Sequence, residues 1–331
     1  MVLRTYDVAA IGNAIVDILF QADDAFLNRH GIAKGAMTLI DGFRAETLAA
    51  QMTGAIEVSG GSAANTTAGI GSFGGHAAFI GKVHEDRLGE VYLEDLKRIG
   101  VAFSGAITNE GASTGCSYIL VTPDGQRSMN TYLGCAGTLR PQDIDTDIVA
   151  KAQILYIEGY LWDQADTKAA IRKAIAAARA AGTKVALTLS DSFCVGRWRQ
   201  EFRELMASDL DILFANEGEA KALFETQHFD EAFQAMRAWG KTAAITRSEK
   251  GSVVVSAGDV HLIDADPIDR LADTTGAGDL FAAGFLFGLS RRLPLARCGQ
   301  LGSLAAAECI QHLGPRPQQS LRAMAAAAGL V

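Results

Sequence analysis

Asp273-Thr-Thr-Gly-Ala-Gly-Asp279 is followed at once by the apolar run Leu-Phe-Ala-Ala-Gly-Phe-Leu-Phe-Gly-Leu. Gly276, Ala277 and Gly278 can turn tightly and present backbone N–H groups at the start of a helix, which makes an anion site. Asp279 would then lie in the first helical turn, where a carboxylate repels an anionic ligand. Its presence is explained if it takes a proton from an attacking hydroxyl while the N–H groups hold the charge of a transferred phosphoryl group. The motif therefore predicts phosphoryl transfer, and the alternative is a glycine turn with an acidic cap.

Size and charge narrow the possible partners. The 331 residues are 49% hydrophobic, which is enough for one large α/β domain or two modest ones. The net charge is −8, and no block of Lys and Arg forms a nucleic-acid footprint, so DNA or RNA is not expected as a partner. An anionic nucleotide must therefore be held by local features, namely helix ends, one or two cations and a metal.

Cysteine and histidine usage indicates a reducing compartment. The five cysteines are odd in number and lack C-x-x-C spacing, which favours a cytoplasmic location over a disulfide framework. The six histidines have no metal-ligand spacing. The apolar stretch near the N-terminus is only strand length, and no segment approaches the roughly 20 apolar residues of a membrane span. No membrane association is expected.

Short apolar runs alternate with longer helical patterns along most of the chain. This alternation predicts a mainly parallel, doubly wound sheet. The predicted helices include Ala165–Ala181 and Glu217–Phe224, and the segment 319–331 is expected to be one short helix or a frayed end. The predicted buried strands are Val8–Ile11, Ala77–Ile80, Ile154–Ile157, Val185–Leu189, Ile212–Phe214, Ala243–Thr246 and Ser252–Val255.

Two stretches break this rhythm, Ile18–Asp41 and Ser113–Leu133. Both alternate apolar and polar residues, and the second contains a Pro123-Asp-Gly turn. We interpret them as strands of a small separate sheet that covers the larger one.

Two glycine motifs resemble nucleotide-binding signatures without the required context. Gly69-Ile-Gly-Ser-Phe-Gly74 matches G-x-G-x-x-G, but small residues that favour a helix precede it, whereas a dinucleotide fingerprint must follow a buried strand. Gly240-Lys-Thr ends like a P-loop but follows a helical pattern. Both are predicted to be helix ends leading into strands.

Gly60-Gly61-Ser-Ala-Ala-Asn65 is the second informative motif. Paired glycines let a ligand lie against the backbone, and Asn65 offers both a donor and an acceptor one turn into the next helix. Asn13 and Asp17 follow the first strand, where a doubly wound sheet has its crevice. A carboxylate there suits a vicinal diol such as the 2′,3′-hydroxyls of a ribose. A plain strand-to-helix turn is the alternative.

Three further elements are candidates for contacts with ATP and Mg²⁺. Asn216 and Glu219, three apart at a helix start, could hold Mg²⁺ through waters or could be an ordinary cap. The link between two strands offers a cation and a glycine to ATP phosphates, as Thr246, Arg247 and Gly251. An arginine of the predicted cover could close over the transferring phosphate or remain solvated. This arginine is Arg127.

In this order, the motifs resemble those of the ribokinase/PfkB superfamily of small-molecule kinases, over essentially the whole chain. The sequence Gly12-Asn-Ala-Ile-Val-Asp17 and the Gly60-Gly61 motif resemble the adenosine-kinase branch, whereas ribokinases tend to have Gly-Gly-Lys-Gly-Ala-Asn. The resemblance implies a ribokinase-like three-layer α/β/α domain spanning 1–331, with a mainly parallel central sheet. It also implies a small β-sheet lid formed by roughly 17–42 and 103–134.

Site roles carried over from the family are expectations. Asp17, with Asn13, would bind the ribose diol beside Gly60, Gly61 and Asn65, and Asp279 would be the base. Asn216 and Glu219 would serve Mg²⁺, and Arg127 would close over the phosphate above the anion hole of Gly276, Ala277 and Gly278. The base would be enclosed by Ile15, Ser117, Met129 and Leu133, with an aromatic contribution from 159–161.

The expected activity is ATP- and Mg²⁺-dependent phosphorylation of the 5′-hydroxyl of adenosine. Alternatives within the reaction class are inosine, guanosine, or a sugar such as ribose or fructose. A catalytically silent nucleoside- or sugar-binding sensor is an alternative from another class. An NAD-dependent oxidoreductase is a more distant alternative. A monomer and a homodimer are both compatible with the sequence, and a monovalent cation, used in parts of the family, remains open.

Overall fold

The structure is a computed structural model that describes residues 4–331. Within this range the strands are β1 (Tyr6–Ile11), β2 (Ile15–Gln21), β3 (Met37–Leu39), β4 (Ile56–Gly60), β5 (Ala77–Ile80), β6 (Lys82–His84), β7 (Ala102–Phe103), β8 (Ala106–Thr108), β9 (Gly115–Val121), β10 (Arg127–Tyr132), β11 (Ala152–Glu158), β12 (Lys184–Thr188), β13 (Ile212–Asn216), β14 (Thr242–Thr246), β15 (Ser252–Ser256) and β16 (Asp259–Ile263).

The α-helices of the same range are α1 (Asp24–Arg29), α2 (Gly42–Ala49), α3 (Ser62–Ser72), α4 (Arg87–Arg98), α5 (Thr146–Lys151), α6 (Ala165–Ala181), α7 (Ser192–Ser208), α8 (Glu217–Phe224), α9 (Phe229–Trp239), α10 (Ala277–Ser290), α11 (Leu295–Cys309) and α12 (Leu321–Ala327). Short 3₁₀ turns lie at Gly134–Thr138, Pro141–Asp143, Gly159–Asp163 and Ser248–Lys250.

Nine strands of the described range form the large sheet, in the order β16-β15-β14-β13-β12-β11-β1-β5-β7. Pairs from β14 through β7 are parallel, whereas β15 and β16 are added antiparallel at one edge. Parallel strands are buried on both faces and are joined by helices, which explains their short, continuous apolar runs. The predicted mainly parallel sheet is confirmed.

Helices cover both faces of this sheet. Successive side chains of β11 alternate: Ile154 and Tyr156 pack into a core with α3, α10 and α11, and Leu155 and Ile157 into a core with α6, α7 and α8. This alternation follows from the two-residue period of a strand. The result is the predicted three-layer α/β/α arrangement.

The predicted strands and helices are all present. Each strand agrees to within two residues at either end, and Val185–Leu189 lies one residue too far along the chain because β12 ends at Thr188. Both named helices have the predicted bounds. The two glycine motifs are helix ends: α3 stops just before Gly74, which has a φ of 82°, and Gly240 ends α9 with a φ of 76°. The dinucleotide interpretation is therefore wrong.

A second sheet has the order β3-β10-β9-β2-β4. Four of these strands lie in or near the two predicted lid segments, but β4 lies between them and was not predicted. Conversely, β7 joins the large sheet and β8 pairs with β6, so 102–108 does not contribute to this sheet. The edge strand β4 alternates apolar and polar residues only over Ile56–Ser59 and ends at Gly60, a pattern too short to distinguish a strand from a loop by sequence alone.

The packing of α3 against α10 positions two parts of the cleft. Helix α10 is buried along most of its length. It approaches α3 so closely that a Cβ at Gly69 would lie 2.6 Å from the Cβ of Ala283 and 2.7 Å from Leu280. Only glycine allows this distance between the helix axes.

We expect Gly69→Ala to destabilise the protein by about 1–3 kcal/mol because the added methyl group overpacks the α3–α10 contact. Gly196→Ala is the matched control, since a Cβ at this helical glycine would meet nothing within 4 Å. There the substitution should stabilise by up to about 1 kcal/mol. Urea unfolding of both variants measures the difference, and equal effects would contradict the proposed contact.

Candidate active site

A cleft of about 1680 Å³ lies between the carboxyl ends of the parallel strands and the small sheet, which we call the lid. Sixteen of the predicted site residues line it: Asn13, Ile15, Asp17, Gly61, Asn65, Ser117, Met129, Leu133, Asn216, Glu219, Thr246, Gly251, Gly276, Ala277, Gly278 and Asp279. Gly60, Arg127 and Arg247 do not line it. The cleft lies where an open α/β sheet binds its ligands.

Asp279 lies in the first turn of α10 and is held from the opposite side by α3. One carboxylate oxygen accepts a hydrogen bond from the Ser62 hydroxyl (2.6 Å) and the other from the Asn65 amide (2.9 Å). Burial raises the pKa of Asp279, against the lowering effect of Ser62, Asn65 and Arg316. Each oxygen keeps a lone pair for a further donor, so this carboxylate can accept a proton from a ligand hydroxyl.

The turn before Asp279 has the conformation that its glycines predict. Gly276 has a φ of 80°, and a Cβ there would lie 2.6 Å from Pro315, so both backbone and packing require glycine. A Cβ at Gly278 would meet no atom of the described residues within 4 Å, so the space beside it is open to the cleft. The N–H of Ala277 donates to the carbonyl of Thr274 (3.2 Å) and is engaged within the turn.

Asp17 and the paired glycines lie together on neighbouring strands of the lid. A Cβ at Gly60 would collide with the Asp17 carboxyl group, and a Cβ at Gly61 (φ 89°) would collide with the carbonyl oxygen of Asn13. Gly60 therefore makes room for the Asp17 carboxyl group, and Gly61, which directly follows β4, makes room for the backbone of Asn13. Burial raises the pKa of Asp17 to about 7, although Arg316 and Arg127 oppose this rise.

Asn13 is held by Glu158, which ends β11. One Glu158 oxygen accepts hydrogen bonds from the backbone N–H (2.9 Å) and the side-chain amide (2.8 Å) of Asn13, and the other accepts from the N–H of Ala63 (3.0 Å). Burial raises the pKa of Glu158 to about 7. Glu158 joins β1 to the start of α3 and fixes the floor of the cleft.

One face of the lid forms an apolar wall of the cleft. Alternate residues of β2, β9 and β10 point into it, whereas Val16, Tyr118 and Leu120 face the core. Tyr160, from the turn after β11 of the large sheet, also lines the cleft. The apolar lining comprises Ile15, Ile119, Met129 and Leu133, with Met37 and Leu39 from the edge strand β3. Such a surface can cover a planar, apolar ligand group.

Arg127 reaches from the lid to the start of the turn 273–279, which we call the anion turn after its predicted role. Its guanidinium lies 2.6 Å from the Asp273 carboxylate and donates to the Thr275 hydroxyl (3.0 Å). Asp273 also accepts from the N–H of Gly314 (3.0 Å). The ion pair is almost fully buried, with 9% and 2% side-chain exposure, and it ties the lid to the large domain. Arg127 was predicted to face the phosphate, and here it faces Asp273.

Asn216 and Glu219 form a reciprocal capping box at the start of α8. The Asn216 side chain accepts from the N–H of Glu219 (2.8 Å), and Glu219 accepts from the backbone and side chain of Asn216 (3.0 and 2.6 Å). Burial, with a smaller contribution from the charges of Asp191 and Asp279, raises the pKa of Glu219 to about 7. A divalent cation in the cleft would relieve this repulsion among carboxylates.

The side chains of the cleft would not by themselves complete the coordination of such a cation. Within residues 4–331, no three His, Cys, Asp or Glu side chains lie close enough to hold a metal ion. Mg²⁺ usually combines one or two carboxylates with waters and substrate phosphates. The residues present fit that mode of binding, with Glu219 on the cleft.

Of the three residues predicted to contact the ATP phosphates between β14 and β15, two face the cleft and one does not. Thr246 and Gly251 line the cleft, and Gly251 requires glycine because its φ is 75° and a side chain would collide with the carbonyl of Ile263. Arg247 turns aside, pairing with Glu217 (3.0 Å) and stacking on Phe229 at 3.8 Å. It lies in a smaller adjoining pocket. Phosphate contact by Arg247 would require this pair to open.

Sequence reasoning missed three residues that hold the others in place: Ser62, Glu158 and Arg316. Ser62 was quoted within the glycine motif without a role. A strand-terminal glutamate such as Glu158 has no motif of its own. Arg316 lies between two prolines near the C-terminus, more than 200 residues from its partner Asn65. No local pattern connects these two positions.

Comparison with known proteins shows the family of the chain. A model of the pfkB family carbohydrate kinases matches residues 40–321. The crystal structure of adenosine kinase from Sinorhizobium meliloti is 51% identical, with a TM-score of 0.91, and the match covers 98% of this chain and 99% of that one. A probable sugar kinase from Rhizobium etli CFN 42 is 47% identical, with a TM-score of 0.93 over 100% of both chains. Saccharomyces cerevisiae adenosine kinase is 28% identical over 94% of this chain and 96% of its own.

Fold and family together define a phosphotransferase with an alcohol group as acceptor, built on the ribokinase-like fold. The chain belongs to the PfkB family of carbohydrate kinases, and it is similar to the family's adenosine kinases.

Two expectations about the chain's environment can be compared with the structure. In the range 4–331, no helix is both long and apolar enough to cross a membrane. All five cysteines lie in this range and are free and buried.

We expect Asp17→Asn to raise the Tm of the ligand-free protein. The pKa of Asp17 rises from 3.8 to about 7 on folding, so the folded state holds the proton more tightly, and stability is lost as pH rises through this range. Asparagine cannot ionise, so the variant's Tm advantage should grow from about pH 4 to about pH 8. Differential scanning fluorimetry across this range measures it.

Asp23→Asn is the control for this measurement. Asp23 is exposed and caps α1 by accepting from the N–H of Phe26, and asparagine caps a helix equally well. This control should leave the Tm nearly unchanged. A Tm gain for Asp17→Asn that does not depend on pH would contradict the electrostatic explanation.

Proposed function

We propose that this protein is an ATP- and Mg²⁺-dependent kinase that phosphorylates the 5′-hydroxyl of adenosine to give AMP. The observation that carries the proposal is the position of Asp279, at the open N-terminus of α10 and in the same cleft as Asp17 and the apolar wall of the lid. Base, anion turn and substrate surface are thus within one enclosure. The similarity to adenosine kinases over nearly the whole chain supports the choice of acceptor.

The acceptor side of the cleft suits a nucleoside. The Asp17 carboxylate would accept hydrogen bonds from both ribose hydroxyls, with Asn13 and the glycine pair Gly60-Gly61 beside it. The base would lie between the lid residues Ile15, Ser117, Met129 and Leu133 and the ring of Tyr160. A sugar alone would leave this apolar surface without a partner.

In the catalytic step, Asp279 would take the proton of the 5′-hydroxyl as that oxygen attacks the terminal phosphorus of ATP, and the bond from this phosphorus to the bridging oxygen would break to release ADP. Burial raises the pKa of this carboxyl, which makes the carboxylate a stronger base. Asn65 and Ser62 hold it in place. The N–H groups of Gly276 and Gly278, with a smaller part for Ala277, would stabilise the charge on the transferred phosphoryl group.

ATP would extend from the anion turn past Thr246 and Gly251. Mg²⁺, held through waters by Glu219 and Asn216, would offset the phosphate charge. Arg127 already joins the lid to Asp273, so its contact with the phosphate would require exchange of that ion pair. Lid closure would exclude water and so limit hydrolysis of ATP.

The acceptor is tested by ADP release in a coupled assay with MgATP and adenosine, inosine, guanosine, ribose or fructose. We expect the highest kcat/KM with adenosine. 5′-Deoxyadenosine, which lacks the acceptor hydroxyl, should inhibit without being consumed. Preference for a sugar would retain the kinase and overturn the proposed base pocket, and ligand binding without ADP release would indicate a silent sensor.

Asp279→Asn tests the base. We expect kcat to fall by about 10²- to 10⁴-fold, with adenosine binding nearly unchanged, because asparagine keeps the shape but cannot take the proton. Asp230→Asn is the matched control, since Asp230 is also acidic and in the first turn of a helix but is exposed on α9. Near-normal turnover by Asp279→Asn would rule out the mechanism.

A further inference from the structure

The C-terminal segment that carries Arg316 is fixed against the anion turn. Gly314 donates its N–H to Asp273 (3.0 Å), and Pro315 packs against Gly276. Further along, the buried Glu308 accepts the N–H groups of Gln318 and Gln319, both at 2.9 Å. Arg316 therefore has anchored backbone on both sides, and its side chain enters the site from a defined position.

The guanidinium of Arg316 contacts two residues of the substrate side. Its Nε donates to Oδ1 of Asn65 (2.9 Å), and an Nη donates to the Ser59 hydroxyl (3.0 Å). Ser59 is tied in turn to Asp95 through its own N–H (3.0 Å). Arg316 thus joins β4 and α3 to the segment that follows α11.

This contact determines which way the Asn65 amide faces. An arginine side chain has only donors, so the side of Asn65 that faces Arg316 must be its oxygen. The amide nitrogen is then directed to Asp279, to which it donates at 2.9 Å. Without the arginine, rotation of the amide by half a turn would place an oxygen against the carboxylate.

Arg316 also supplies positive charge to an acidic enclosure. The ionisable groups that face it are Tyr92 and Asp95 of α4, Asp17 of β2 and Asp279 of α10. Its charge lowers the pKa of both Asp17 and Asp279, against the effect of their burial. The two carboxylates therefore stay ionised down to a lower pH than they would if burial acted alone.

We propose that Arg316 is a positioning residue of the kinase site: it orients the Asn65 amide so that the amide holds Asp279, and it provides the charge that faces Asp17 and Asp279. This inference rests on the proposed function, in which Asp279 is the base. Arg316 contacts neither of the reacting groups directly, so its effect is transmitted through Asn65 and through its charge.

Arg316→Gln tests the proposal by the pH profile of kcat/KM. We expect kcat to fall by about 10- to 100-fold, because small displacements of a reacting group are costly. The acid limb of the profile should also move to higher pH, since both carboxylates lose their positive neighbour. An unmoved profile would overturn the inference, even if activity fell.

Arg316→Lys separates charge from geometry. Lysine keeps the positive charge but cannot hold Asn65 and Ser59 with a planar fork. We expect the acid limb to stay close to that of the wild type while kcat remains reduced. Full recovery of kcat would overturn the proposed orientation of Asn65.

Arg4→Gln controls for the loss of a merely structural arginine. Arg4 donates to the main-chain carbonyls of Ala152 and Ala181, away from the cleft. This variant should lower the Tm without changing kcat or the pH profile. The same shift of profile in Arg4→Gln as in Arg316→Gln would overturn the inference.

A substrate-free measurement separates this inference from the proposed function. If the wild-type protein turns over no acceptor, the proposed function fails, and the effect of Arg316 is then tested on stability. Between about pH 5 and pH 8 the Tm of Arg316→Gln should fall more steeply than that of the wild type, because the folded state binds protons more tightly. Equal slopes would overturn the inference.

Discussion

The hydrogen bonds from Ser62 and Asn65 of α3 to Asp279 of α10 connect the two halves of the site. They are possible because α3 and α10 pack through a glycine, Gly69, at a distance that any side chain would increase. One helix follows the substrate-side glycines, and the other begins at the anion turn. The geometry proposed for phosphoryl transfer therefore depends on a helix–helix contact in the core.

The site concentrates carboxylates where water is largely excluded. Asp17, Glu158 and Glu219 each have a pKa raised to about 7 by burial. Ionised groups in such an environment reduce the stability of the empty protein, and bound cations or ligand donors would recover part of this loss. In many enzymes, residues that the reaction requires lower the stability of the folded protein.

Much of the site could be predicted because its glycine motifs are local. Gly60-Gly61 and Gly276-Ala277-Gly278 act through backbone conformation, which a short stretch of sequence specifies by itself. Arg127 and Arg247 show the limit of such prediction. Each lies on the predicted element, but the acidic partners that they have here, Asp273 and Glu217, are brought to them by the fold. A long, flexible side chain does not reveal its partner in its sequence neighbours.

The sequence by itself determined the alternation of strands and helices and the glycine turns, because these depend on local periodicity and backbone freedom, and its last glycine motif pointed to Asp279 as the proposed base. Only the tertiary structure decided that Arg316 contacts Asn65, that Glu158 holds Asn13, and that β4 completes the lid. The first two contacts join residues 251 and 145 positions apart, and β4 is too short for its pattern to identify it. Their formation requires the packed core, which brings distant segments together and excludes the water that would otherwise satisfy their polar groups.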